Sequence, residues 1–250
     1  MATIDCTEKS TREINLAIKQ LLAEGVDAIT VQHPAARHNL GIALLQPGKV
    51  TFTGSVGYYC GGMSDGAQVE IQGSAGWGVA EAMLSGTVIV HGNAGNGAAA
   101  SLRGGTVVIH GDAAARAGIS IKGGTLLIAG NCGYMAGFMG QKGTIIVCGD
   151  TGEAFADSMY ETVCFVGGHI AELGNDAVIE TPTAAERAML ESTFAQYLAP
   201  QAHPPISAFK KVVAGRKLWN FDKREWKTWR EALMIHWSFI MCAQRVVVNR

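Results

Sequence analysis

Residues 92–110 read GNAGNGAAASLRGGTVVIH, and the next nineteen residues, 111–129, read GDAAARAGISIKGGTLLIA. Each stretch opens with a glycine and a short polar residue, continues through small residues, and ends in a Gly-Gly pair followed by an aliphatic tetrad. Of the 32 glycines, 27 lie between Gly54 and Gly168, so the glycine belongs to a repeat and not to a flexible linker. A fixed period of this length indicates a solenoid, in which each coil stacks on its neighbours. The coils begin at Gly54, Gly73, Gly92, Gly111, Gly130 and Gly149, and Gly168 begins a degenerate seventh.

The aliphatic tetrads predict one strand per coil, because short β-branched runs bounded by turn residues are typical of buried strands. Stacked in parallel about 4.8 Å apart, they predict an all-β fold, a single-stranded parallel β-helix of six to seven coils over residues 54–180. The tetrads are Thr87-Val88-Ile89-Val90, Thr106-Val107-Val108-Ile109, Thr125-Leu126-Leu127-Ile128 and Thr144-Ile145-Ile146-Val147.

The other recurring positions predict corners and a narrow interior. We expect the first glycine of each coil to have positive φ and the polar residue after it to bond back to its own turn. A second corner is expected at the glycine before each tetrad. The eighth position is always Gly or Ala, as expected where successive coils face a narrow interior. These residues are Gly61, Ala80, Ala99, Gly118, Gly137 and Ala156.

Both ends of the stack need covers, because open sheet ends expose unpaired backbone. Residues 1–53 predict an N-terminal cap: a helix opened by the capping box Ser10–Glu13 and closed at Gly25, then an atypical coil whose strand follows Gly48. Residues 181–250 predict a C-terminal helix starting near Pro182. In that region residues 199–205 form a linker to a basic arm.

Composition limits the class of protein. The net charge is −1, and the six cysteines form no CxxC pair, which argues against a zinc ribbon or a dithiol redox motif. Scattered thiols favour a reducing compartment, and neither a signal peptide nor an 18-residue apolar run is present. We therefore expect a cytoplasmic protein that uses neither a membrane nor nucleic acid.

Two histidines are the strongest candidates for a metal site. His91 and His110 occupy the same position in adjacent coils, which places them about 5 Å apart. The same position holds Gln72, Ala129 and Cys148 in other coils, so a third ligand is not close by. The sequence favours a surface ladder over a metal site.

Other candidate chemistry is better explained by the repeat. Asp112 and Asp150 share a position with Asn131, which indicates turn formation more than acid–base work. The Gly-x-x-Gly runs recur in every coil with no helix after them, unlike a phosphate loop. Cys6 is not placed at the N-terminus as an amidotransferase nucleophile would be. We predict no catalytic, cofactor-binding or metal residue in this chain.

The C-terminal segment is chemically distinct. Between Phe209 and Arg230 eight Lys or Arg residues stand against two acidic ones, and four of the five tryptophans fall in the last thirty-two residues. Tryptophan and arginine anchor protein interfaces, so the segment predicts a dock for a partner protein. Packing on the solenoid itself, or binding nucleic acid or lipid, are the alternatives. The predicted interface residues are Trp219, Trp226, Trp229, Arg230 and Trp237.

The coil pattern resembles the GXGXG domain found at the C-terminus of the glutamate synthase large subunit, in a subunit of formylmethanofuran dehydrogenase, and in the related formyltransferase/hydrolase complex. It is most similar to the stand-alone, glutamate synthase domain 3-like subunit of N-methylglutamate synthase (methylamine-glutamate N-methyltransferase). The resemblance covers about residues 11–219. It rests on residues 57–60, 79–83, 138–141, 147–150, 153–160 and 216–219.

The resemblance implies a right-handed β-helix that binds no cofactor and spaces two partner subunits. One is a class II glutamine amidotransferase-like chain, and the other a synthase-like chain that carries FMN and an iron–sulfur cluster. The implied reaction converts glutamate and methylamine to N-methylglutamate and ammonia on those partners. The alternatives are a scaffold subunit of a formyl-transfer complex and a left-handed β-helix acyltransferase. The second is disfavoured because its coils contain eighteen residues.

Overall fold

The computed structural model describes residues 1–217, and all strands in this part of the chain belong to one sheet. The sheet runs from β1 to β9 in chain order and continues with β11 and then β10. The elements are β1 (Ala2–Asp5), α1 (Thr11–Ala23), β2 (Ala28–Gln32), β3 (Gly48–Phe52), β4 (Ala67–Ile71), β5 (Thr87–Val90), β6 (Thr106–Ile109), β7 (Thr125–Ile128), β8 (Lys142–Val147), β9 (Glu161–Val166), β10 (Ala177–Glu180), α2 (Ala184–Tyr197), a short 3₁₀ helix (Ile206–Ala208) and β11 (Lys210–Ala214).

Strands β3 to β9 are the stacked strands of a parallel solenoid with about seven turns. Thr87 pairs with Thr106, Thr106 with Thr125, and Thr125 with Thr144, so each partner lies nineteen residues along the chain. A second column of single parallel bridges runs from Val56 to Ile170 on another side of the coils. The all-β, parallel β-helix prediction is therefore confirmed.

The tetrads of β6, β7 and β8 are buried on both faces, which explains their nearly continuous apolar character, whereas Ile89 on the outer face of β5 is only partly buried. Val107 and Ile109 point into the interior, whereas Val108 between them packs in a second cluster on the outer face. Helix α2 covers that outer face with Leu190 and Phe194, which are 0% and 2% exposed. The C-terminal helix thus lies along a flank of the coils.

The predicted helix and strand of the N-terminal cap form, and two strands that the sequence did not predict, β1 and β2, extend the sheet at the same end. Ser10 and Glu13 complete the capping box of α1, and Gly25 follows the helix with φ of 81°. Asn15 ties the helix to the first coil: its amide donates to the Asn39 carbonyl at 2.7 Å, and its oxygen accepts from the Gly41 N–H at 2.8 Å. Neither α1 nor α2 is long and apolar enough to span a bilayer.

The C-terminal edge carries a strand pair that the sequence did not reveal. Strand β11 pairs antiparallel with β9, and β10 pairs antiparallel with β11. Lys211, at the start of the predicted basic arm, is 15% exposed and forms ion pairs with Glu180 at 3.2 Å and Glu186 at 2.9 Å. These two carboxylates, with the bond to Glu186 as the larger cause, raise the Lys211 pKa. The linker of residues 199–205 therefore leads into sheet.

From Gly73 to Gly168 the first glycine of each coil is required for close stacking and not for positive φ, so the positive-φ expectation was wrong for these coils. Gly54 of the first coil is the exception, with φ of 158° and a Cβ position 3.4 Å from Pro34 Cγ. Gly73 lies outside the left-handed region, and a Cβ there would lie 2.6 Å from the Ser55 nitrogen and 2.8 Å from the Gly54 carbonyl carbon. The coil below leaves no room for a side chain. At the second corner the prediction holds: Gly86 and Gly105 have φ of 99° and 78°.

The polar residue after each first glycine forms a ladder between coils and does not bond back to its own turn. Its side-chain oxygen accepts the backbone N–H of the equivalent residue in the next coil, at 2.6 to 3.1 Å. The bonds satisfy backbone donors that stacking alone would leave unpaired. The ladder runs through Ser55, Ser74, Asn93, Asp112, Asn131 and Asp150 to the N–H of His169.

Candidate functional site

The predicted tail interface lies beyond the part of the chain that the structure describes. Trp219, Trp226, Trp229, Arg230 and Trp237 all follow residue 217. Their role as a docking surface stays a prediction.

The histidine pair has the predicted spacing. The rings of His91 and His110 are stacked with centroids 5.1 Å apart and planes 2° from parallel. His91 Nε2 lies 2.9 Å from Glu70 Oε1, and the other oxygen of Glu70 lies 2.6 Å from Lys49 Nζ. The cluster is a surface network across adjacent strands, with one ion pair between Lys49 and Glu70 and one hydrogen bond between His91 and Glu70.

The electrostatics of this cluster follow from its partners. Hydrogen bonds from Lys49 and His91 hold the pKa of Glu70 below its ordinary value. Burial, with a smaller effect of His91, lowers the pKa of His110. Within residues 1–217 no three or more His, Cys, Asp or Glu side chains are grouped as metal ligands.

The carboxylates and thiols that could carry chemistry are either hydrogen-bonded to the backbone or buried. Asp112 and Asp150 each accept a backbone N–H from the next coil, at 2.7 and 2.6 Å. Cys6 is fully buried, and burial raises the pKa of its thiol. Burial likewise raises the pKa of Cys132 and of Cys148 to about 12. Protonated thiols are poor nucleophiles and poor metal ligands.

A groove on the coil surface is the most distinctive unassigned feature. It has a volume of about 500 Å³. Trp77 stands on one wall and Tyr134 on the other, at equivalent positions 57 residues apart in the sequence. The two walls are therefore three coils apart, or about 14 Å along the stack. Asn96 and Ala115 occupy that position between them, and their small size leaves the depression. We call it the aromatic groove and define its walls by Tyr59, Trp77, Glu81, Arg116, Ile119 and Tyr134.

Two aromatic rings of this surface, those of Tyr59 and Trp77, lie close to the backbone of neighbouring coils. Tyr58 stacks on Trp77 with centroids 5.2 Å apart and planes 16° from parallel. A Cβ on Gly95 would lie 2.6 Å from Trp77 Cδ1, and one on Gly78 would lie 2.6 Å from Tyr59 Cδ1. Glycine is therefore needed where the rings lie flat on neighbouring coils.

These rings are nonetheless open to solvent. Trp77 is 52% exposed, Tyr134 48% and Tyr59 46%. Large exposed aromatic side chains are typical of binding surfaces.

The groove carries one charge of each sign. Glu81 stands on the wall with Tyr59 and Trp77, and Arg116 on the wall with Tyr134. Among the described residues neither side chain has an ion-pair partner. The groove can therefore bind a group that complements both charges, but its walls bring together no nucleophile and base.

The sequence held a signal for this groove that was not recognised. Tyr58, Trp77 and Tyr134 share one position of the nineteen-residue period, and Tyr59 and Arg116 share the next. A position-by-position comparison for exposed aromatic residues would have placed them on one face.

Comparisons with known proteins agree with this architecture. No protein-family model matches the chain. Among solved structures, the chain is similar to a chain of the formyltransferase/hydrolase complex (FhcABCD) from Methylorubrum extorquens in complex with methylofuran. The TM-score is 0.62 and the identity 25%, over 80% of this chain and 86% of that chain.

A sequence relative gives a stronger relation. Protein GlxC of Rhizobium meliloti (strain 1021) is 48% identical over 223 residues, which cover 89% of this chain and 97% of that protein. Identity at this level over nearly both full lengths establishes common family membership: the chain belongs to the same family as protein GlxC.

Proposed function

We propose that this chain is a noncatalytic structural subunit of a heteromeric glutamate synthase-like enzyme. One observation carries the proposal: the thiols of residues 1–217 are buried, the ladder carboxylates and the Glu70–His91 pair make hydrogen bonds within the fold, and an aromatic groove faces solvent. A body of this kind can fix the distance between other chains. It offers no arranged acid, base and nucleophile of its own.

The finer proposal is N-methylglutamate synthase. It is supported by the residues that carry the resemblance, among them 57–60 and 138–141, which lie on the coils beside the groove. The partners would be a class II glutamine amidotransferase-like subunit and an FMN-binding synthase-like subunit that also carries the iron–sulfur cluster. Glutamate and methylamine would react on those partners. This chain would hold them at a fixed separation and bound the path of the amine between them.

The five described cysteines are free and buried, which supports a reducing compartment and therefore the cytoplasm.

A second candidate is the scaffold subunit of a formyl-transfer complex. It is favoured by the structural similarity to a chain of the formyltransferase/hydrolase complex, at a TM-score of 0.62. Both candidates are assemblies of several chains, so they share the noncatalytic role and differ in the partners.

Purification from the native host separates the two candidates. The tagged chain should co-purify with a glutaminase-like and a flavin-bearing chain, and the flavin should remain with the latter when the complex is dissociated. Recovery of formyltransferase-like and hydrolase-like chains would select the second candidate. Elution of the chain alone and colourless would contradict both.

A further inference from the structure

We infer that the aromatic groove is the docking site for a segment of a partner subunit in which a large apolar side chain lies between a basic and an acidic one. This inference rests on the proposed function and names the surface and partner chemistry that it leaves open. The first observation is the shape of the groove. Gly78 and Gly97 form part of its floor, and Trp77 and Tyr134 stand on opposite walls. The groove therefore receives a protruding side chain between two rings.

The second observation is the packing of the rings. Trp77 is held by its stack on Tyr58 and by close contact with Gly95, and Tyr58 itself stacks on His38 with centroids 4.2 Å apart. Rings that are already ordered lose little conformational entropy on binding. Aromatic residues of this kind supply most of the binding energy when a partner excludes water from them.

The third observation is the placement of the charges. Glu81 belongs to the coil that begins at Gly73, and Arg116 to the coil that begins at Gly111. Two coils separate these backbone positions by about 10 Å along the stack. A basic group on the Glu81 side and an acidic group on the Arg116 side satisfy both charges, and they fix the direction in which the segment lies.

The charges also favour a protein over a nucleic acid. Glu81 lies in one wall, and exposed Glu153 occupies the position equivalent to Tyr134 in the next coil. Carboxylates at the groove and beside it would repel a phosphate backbone, which binds mainly through lysine and arginine. A segment with charges of both signs meets no such repulsion.

The test uses the full chain and the two partner subunits, co-expressed and purified as a complex. Trp77→Ala should raise the dissociation constant for the partners about 30-fold, as expected for a central aromatic anchor. Arg116→Glu should raise it about tenfold or more. Arg103→Glu is the matched control, because Arg103 is exposed on the neighbouring coil but outside the groove. It should change the affinity less than threefold. Circular dichroism should be the same for all three variants, since the three side chains are exposed.

A cross-link identifies the occupant. The photoreactive residue p-benzoylphenylalanine replaces Trp77 in the assembled complex, and the product is identified by mass spectrometry. The same replacement at Leu84, which is 46% exposed outside the groove, is the control. We expect the first probe to label a partner peptide with an apolar residue between a basic and an acidic one.

Two results would overturn the inference while leaving the proposed function intact. In one, the wild-type chain assembles and the Trp77 and Arg116 variants bind as tightly as the Arg103 variant. In the other, the probe labels residues of this chain or of a second copy of it. If the wild-type chain assembles with neither partner, the proposed function fails and the inference with it.

Discussion

Replacing Gly73 with alanine should destabilise the solenoid strongly, although Gly73 has no left-handed backbone. A Cβ would lie 2.6 Å from both the nitrogen and the Oγ of Ser55 and 2.8 Å from the Gly54 carbonyl carbon. Two of these three atoms are backbone, so no side-chain rotation relieves the overlap, and the two coils must move apart.

The magnitude follows from three contributions. Overpacking a close contact costs about 2–3 kcal/mol. Separating the coils weakens the hydrogen bond from the Ser74 N–H to Ser55 Oγ, which costs about 1 kcal/mol. Alanine restricts the unfolded chain more than glycine does, which reduces the total destabilisation by about 0.5 kcal/mol. We expect a net loss of about 3 kcal/mol.

The assay is urea denaturation followed by far-UV circular dichroism. With a urea m-value of about 3 kcal/mol/M, the midpoint of Gly73→Ala should fall by about 1 M. Gly66→Ala is the control, because Gly66 has φ of 84° and no atom within 4 Å of a Cβ. It should cost only about 1 kcal/mol for the left-handed backbone. A Gly73 variant as stable as the wild type, or less affected than the Gly66 variant, would refute the close-stacking explanation.

Three further predictions concern the ion-pair network, the flank helix and the thiols. Glu70→Gln should lower the free energy of unfolding by about 1 kcal/mol at pH 7. The pKa of Glu70 is held below its ordinary value. The ionised carboxylate therefore stabilises the fold fully at pH values above the ordinary pKa, and this stabilisation is lost as the pH falls through the lowered pKa. The urea midpoints of the wild type and of Glu70→Gln should therefore converge at acid pH. A difference between the two midpoints that does not change with pH would contradict the network. Phe194→Ala should lower the free energy of unfolding by about 3–4 kcal/mol in the same assay, because the ring is 2% exposed, whereas exposed Glu191→Ala should have little effect. Cys60 and Cys164 are fully buried, so a thiol reagent at pH 8 should label these two residues only after addition of urea. Rapid labelling of either residue in the native protein, located by peptide mass spectrometry, would show that the coils open.

The sequence predicted the parts of the fold that depend on local pattern. Thr106-Val107-Val108-Ile109 is predicted as a strand because it is a short β-branched run that follows two turn-forming glycines. The capping box of Ser10 and Glu13 fixes the start of α1 through contacts three residues apart. The His91–His110 distance follows from the period and the strand spacing alone.

Features that depend on contacts between coils were harder to predict. The role of Gly73 becomes visible only when the Ser55 backbone is placed beneath it. Strand β10 has both of its central apolar residues, Val178 and Ile179, exposed, so it lacks the alternation that indicates a strand. The sequence predicts helix α2 but does not say which apolar surface the helix covers. We expected it at an end of the stack, and it lies along the flank.

The groove illustrates the same limit for function. Trp77 and Tyr134 are 57 residues apart, and nothing local connects them. Their relation appears only when the coils are stacked and the short side chains of Asn96 and Ala115 open the space between them. The predicted docking residues, in contrast, stand out in the sequence through their local density of tryptophan and positive charge.

The most direct test of the central claim is the coupled reaction of the reconstituted partners with and without this chain. The glutaminase-like and FMN-binding subunits are mixed with glutamate and methylamine, and N-methylglutamate formation is measured. We predict little coupled product from the two partners alone, restoration when this chain is added in equimolar amount, and no flavin bound to this chain itself. Equal rates of N-methylglutamate formation with and without the chain would contradict its role as the structural subunit.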